Sequence, residues 1–207
     1  MSGLALLLGL IASALVISNS VPQTVKIWRS GSDVGVNVAM WFLFFSLCCI
    51  GLGYGLRVGN VTLVIANLGS MLTGGSVLLA IACIHRRSML LAAARLLLLV
   101  AVLESLALLV PKPVLVTVFI AGSGLVWMQA YTSFTTWRRR GESTVSITTY
   151  VLRSVTMVAW ILQCTITGDM TLMLSATIAL VAALTTIGFE VLTDIRRRTL
   201  ITIPSSA

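Results

Sequence analysis

Apolar residues fill seven runs along the chain, separated by short polar or basic stretches. The runs fall near 3–21, 37–56, 61–84, 89–110, 114–135, 146–166 and 170–192. Each approaches the roughly 20 residues that a helix needs to cross a bilayer. The pattern predicts an all-α membrane protein with seven transmembrane helices. Its connections are too short for a soluble domain, and the tail after Arg198 is too short to fold alone.

Composition agrees with this pattern. The 207 residues are 58% hydrophobic and only 10% charged, against about 25% charged in a soluble domain. The net charge of +8 raises nucleic acid as a partner. The basic residues lie in clusters between apolar runs, however, so topology is the better reading and no nucleic acid is expected. Lys26, Arg29, Arg86, Arg87, Arg138 to Arg140 and Arg196 to Arg198 follow runs one, three, five and seven. The alternate loops hold only Arg57 and Lys112. The positive-inside rule then puts the N-terminus outside and the C-terminus in the cytoplasm, with anionic lipid headgroups as partners of the basic loops. Only an odd number of crossings fits. The plasma membrane is the expected location. The first run also holds Ala12-Ser13-Ala14, which is a small-residue cleavage pattern, but it lacks the basic start of a signal peptide.

A second pattern lies over the first. Trp28-Arg29 recurs 109 residues on as Trp137-Arg138. Val36-Asn37 recurs as Val145-Ser146 and Gly59-Asn60 as Gly168-Asp169 with the same spacing. Runs one to three and five to seven therefore read as two parallel three-helix repeats, and run four as the linker helix that inverts the chain between them. The expected divisions are 1–85, 86–112 for the linker, 113–198, and a tail at 199–207. Repeats of this kind in membrane proteins frame a substrate site at their interface.

The first repeat carries a recognisable set of residues. Run one ends in Val21-Pro22-Gln23, a basic loop follows, run two ends in Gly53-Tyr54-Gly55, and run three carries Asn67. This order and spacing resembles the PQ-loop superfamily, in particular the SWEET and SemiSWEET sugar transporters. The resemblance implies a three-plus-one-plus-three helix bundle that moves a small solute by alternating access. It also implies a sugar clamped by Trp and Asn from both halves. The chain departs from that pattern: Gly51 stands where the family has Trp, and its equivalent in the second half is Trp160. Asn67 is matched by Ala176, and Pro22-Gln23 by Tyr131-Thr132.

These residues supply the candidate chemistry. Pro22 removes a backbone donor and kinks or ends a helix, so with Gln23 it is the candidate gate or hinge. Asn67 carries an amide that is costly against lipid, and Ser70 shares its helix face, with Asn60 and Gly74 extending a polar, small-residue stripe. Asn67, Ser70, Tyr54 and Trp160 are the candidate substrate-binding residues. Interhelical hydrogen bonding and packing are their structural alternatives. Arg153 stands one face with Trp160; it either snorkels to the headgroups, the preferred reading, or presents a cation to the pathway. Glu104 is the one carboxylate well inside a run, a second candidate pathway charge whose preferred role is structural. Glu190, Asp194 and Arg198 are spaced as a surface ladder.

Cys48, Cys49, Cys83 and Cys164 all fall in apolar runs without metal-ligand spacing, so neither a metal nor a disulfide is expected. No cofactor motif, nucleophile–base pair or nucleotide-binding motif is visible, which makes an enzyme the least favoured reading. The leading function is facilitated transport of a small polar solute, with sugars first. The alternatives are a carrier of amino acids or other zwitterions, and a non-transporting receptor or assembly protein of the same fold. A homo-oligomer is left open.

Overall fold

A computed structural model describes residues 3–202. Among these residues the chain is helical with short connections. Helices α1 (Gly3–Ser18) and α2 (Val21–Ser30) form one rod interrupted at Asn19-Ser20. They are followed by α3 (Val38–Val58), α4 (Val61–Ile84) and α5 (Met89–Leu109). Next come α6 (Lys112–Ser123), α7 (Val126–Arg138), α8 (Ile147–Thr167) and α9 (Met170–Thr202). Six spans among the described residues are long and apolar enough to cross a membrane: the α1–α2 rod, α3, α4, α5, α8 and α9.

Three boundaries differ from the sequence reading. Run one extends to Ser30 because Pro22 lies in the first turn of α2, where a missing N–H costs no helix bond. Run five is divided. Gly122 and Gly124 weaken the helix there, and Gly124, Leu125, Trp127 and Met128 donate to carbonyls three residues back. Run seven continues to Thr202, so the tail expected at 199–207 begins inside α9, and its last residues, 203–207, lie outside the described part.

The 109-residue echo has a structural meaning at the helix ends. Asn37 and Ser146 cap α3 and α8, accepting from the N–H groups of Met40 and Thr149. Gly59 and Gly168 end the same helices with φ of 65° and 73°, a left-handed turn that glycine adopts without cost. Asn60 and Asp169 then cap α4 and α9 through the N–H groups of Leu63 and Leu172. Asn60 is thus a cap and not part of a polar stripe. A side-chain cap of this kind stabilises a helix by about 1 kcal/mol.

The helices pack in the same order in each half. In the first, α4 lies between α1–α2 and α3; in the second, α9 lies between α6–α7 and α8. Between the halves, α1 and α2 meet α8, and α3 meets α6 and α7. Each contact is therefore matched by one with the roles exchanged. Helix α5 leans on α3 and α4. Arg57, from the end of α3, donates to the carbonyls of Ala107 and Val110 and fixes the end of α5.

One end of the bundle collects Lys26, Arg29, Arg86, Arg87, Arg138 to Arg140 and Arg196 to Arg198, and is here called the basic end. The apolar core lies in this half, where Ile27, Met40, Trp41, Val77, Val145 and Tyr150 are fully buried.

Candidate functional site

A cavity of about 320 Å³ lies between the two halves. That is near the lower end of small-molecule pockets, which run from about 300 to 1,000 Å³. Helices α4 and α9 line it with equivalent positions 109 residues apart: Leu63 and Leu172, Ala66 and Ser175, Asn67 and Ala176, Ser70 and Ala179. Helices α3 and α8 do the same with Phe44 and Arg153, and with Cys48 and Met157. The repeat thus sets the shape of the wall, while its chemistry differs from side to side.

All four candidate substrate residues, Asn67, Ser70, Tyr54 and Trp160, lie on this wall. Asn67 donates from Nδ2 to the Leu63 carbonyl, and its Oδ1 rests directly on Gly51 of α3. Any Cβ at position 51 would collide with that amide. The missing Trp is therefore the space that Asn67 occupies. Trp160, the counterpart of Gly51, and Ala176, the counterpart of Asn67, both line the cavity.

Three buried polar atoms on the wall have no hydrogen-bond partner: Ser70 Oγ, Ser175 Oγ and Arg153 Nη1. Buried polar atoms are nearly always satisfied, so these three are open to completion by water or a ligand in the cavity, whereas the unpaired atoms of Asn19, Glu104, Thr149, Tyr150 and Gln163 lie off its wall. Ser175 escaped the sequence reading because one serine in an apolar helix carries no signal. Its alignment with Ala66 beside Asn67 was the only clue.

Arg153 differs from the preferred expectation. It does not snorkel but is buried at the cavity floor, with its guanidinium carbon 4.8 Å from the Phe44 ring centre. Tyr150 and Trp41 stand at 5.8 and 6.0 Å. Aromatic faces attract a cation, and three of them draw the side chain inward. Glu104 is not on the wall. Its carboxylate packs against Gly53, on the side of α3 that meets α5.

The cavity is lined by Tyr54 and Asp169 toward the end away from the basic loops, and by Phe44 and Arg153 at its floor. Beyond the floor the bundle is closed. Gln23, buried on α2, accepts from the Ser146 N–H at 2.7 Å and donates to the Thr144 carbonyl at 3.2 Å. Gln129, buried on α7, accepts from the Asn37 N–H at 2.8 Å and donates to the Gly35 carbonyl at 2.9 Å. Lys26 adds a bond to the Val145 carbonyl. Pro22 precedes this clamp, and the helix break precedes Pro22. Gln129 was missed because it sits 106 residues after Gln23, not 109. Glu190 also departs from expectation: it is buried and faces the Ser133 and Ser143 hydroxyls, whereas Asp194 and Arg198 do pair at 2.9 Å.

No family model and no curated protein matches this chain. A solved structure of a eukaryotic SWEET transporter does, with a TM-score of 0.59 over 92% of this chain and 95% of that one, at 13% identity. The chain has a SWEET-like fold. With six apolar spans, it is an integral, multi-pass membrane protein.

Proposed function

We propose that the chain carries a small polar solute across its membrane by alternating access, without energy coupling. In this reading α6 and α7 together make a seventh crossing. The units are 1–85 and 113–198, joined by 86–112, with the N-terminus outside and the basic end in the cytoplasm, at the plasma membrane. The observation that carries it is the cavity between the halves, whose wall holds the unpartnered atoms of Ser70, Ser175 and Arg153. Closure beyond Phe44 and Arg153 fits one of the two states such a carrier needs, with Pro22 and Gln23 at the point where the bundle opens. Trp160 gives a flat apolar surface and Asn67 an amide, a pairing suited to a sugar.

A carrier of cations or zwitterions finds little support. It needs an acid in the pathway, Glu104 stands off the wall, and Asp169 lies at the far end capping α9. The test is equilibration of labelled hexoses into liposomes containing the purified protein. Asn67→Ala and Trp160→Ala should each abolish saturable uptake. Uptake that survives both changes removes this site from the pathway, and binding without crossing favours a receptor.

A further inference from the structure

The floor of the cavity holds a charge with no counter-ion. Arg153 is 3% exposed, and no Asp or Glu among the described residues lies in ion-pair range of it. Its near neighbours Phe44, Trp41 and Tyr150 offer ring faces, and Nη1 keeps a free donor. Asp169, the acid on the wall, lies beyond the far end of α8, whose last residue, Thr167, is about 21 Å along the helix from Arg153 at 1.5 Å per residue. The equivalent of Arg153 in the other half is Phe44, so the positive charge stands on one side only, and no acidic side chain among the described residues pairs with it.

A buried guanidinium in this position is stable only when an anion or a full set of acceptors completes it. A neutral sugar offers weak acceptors, whereas a carboxylate matches the planar fork of the guanidinium with two charge-assisted bonds. Ser70 and Ser175 give further hydroxyl donors along the wall. Above the floor the lining is apolar, with Leu47, Met157 and Trp160 fitting an uncharged body.

From this we infer that the solute is a small organic anion, a soluble carboxylate whose head docks on Arg153. The inference rests on reading the cavity as the solute site. Glucuronate and glucose make a matched pair, differing only in a carboxylate for a hydroxymethyl group. Lactate and lactamide make a smaller one. Binding to the purified protein in phosphatidylcholine nanodiscs should favour the acid of at least one pair by tenfold or more. Arg153→Gln should remove that preference, and Arg153→Lys should retain part of it. Added phosphatidylglycerol should not displace the acid.

Equal affinity within both pairs, a preference for the neutral member, or no binding by any of the four overturns the inference. So does a preference that survives Arg153→Gln. Displacement by phosphatidylglycerol assigns the charge to a lipid headgroup instead. Flux separates this inference from transport. Glucose and glucuronate that cross equally well leave the carrier standing without its anion preference. An acid that binds through Arg153 yet never crosses a vesicle leaves the anion site standing without the carrier.

Discussion

Gln23 and Gln129 hold each other's halves shut. Each is buried on the helix that leads into the loop of its own half, α2 for Gln23 and α7 for Gln129, and each bonds an N–H and a carbonyl of the other half's loop. The four backbone groups come in equivalent pairs, Gly35 with Thr144 and Asn37 with Ser146, so the clamp has the same two-fold relation as the helices.

The clamp makes a direct prediction. Gln23→Ala leaves the buried Ser146 N–H and the half-buried Thr144 carbonyl unpaired, and Gln129→Ala leaves the half-buried Asn37 N–H and Gly35 carbonyl unpaired, at about 1–3 kcal/mol for a fully buried group and less where water reaches it. Both variants should melt at lower temperature in detergent. Both should also expose the basic end, read as faster alkylation of a cysteine placed at Ser146 in a background lacking the natural cysteines. Gln23→Glu should be no better than alanine, since it faces the Thr144 carbonyl with a second acceptor. Unchanged alkylation in all three variants would separate these bonds from closure.

Gly51 and Asn67 form a coupled pair. Gly51→Ala should destabilise the protein by about 1–3 kcal/mol through overpacking. Gly51→Ala with Asn67→Ala should recover most of that loss, because the colliding amide is gone. A double-mutant cycle on thermal stability measures the coupling, and simple additivity would mean that the two side chains do not meet.

Arg57 braces α5 and takes no part in the cavity. Arg57→Ala removes charge-assisted bonds to two carbonyls, each worth about 1.5–3 kcal/mol where buried and less where water replaces them. The melting temperature should fall while solute affinity stays unchanged. A loss of affinity with no loss of stability would place Arg57 in the pathway.

Glu104 should be silent in transport. Glu104→Gln is expected to leave both the rate of uptake and its dependence on pH unchanged, measured as initial flux into vesicles from acidic to neutral pH. A flattened pH response in that variant would restore the acid to the pathway.

The sequence made the ends of the helices more legible than their faces. Asn37, Gly59 and Asn60 each do a local job, capping or turning, that depends on residue type and position alone. Their counterparts at Ser146, Gly168 and Asp169 therefore kept the 109-residue spacing. The facing of Arg153 depends on Phe44, Trp41 and Tyr150, which come together only after packing, and the general tendency of arginine to snorkel favoured the headgroups. Gln129 was hidden for another reason. The second half has three more residues between its glutamine and its loop, so the spacing that matched the caps pointed to Thr132. Glu190 looked like one rung of a ladder because spacing along a helix cannot say which rungs turn inward.

The unlike walls of the cavity have a consequence for how the two halves came to differ. A dimer of identical halves would present every group twice, with two asparagines, two tryptophans and two arginines facing one another. Two guanidinium groups across one small cavity would repel each other. Joining the halves in one chain frees each position from its twin, so a single charge can sit opposite a phenyl ring. A solute held between them then has one heading. Its apparent affinity from the two sides of the membrane need not be equal, although passive movement must still end at equal concentrations for a neutral solute. For an anion it must end at the balance set by the membrane potential.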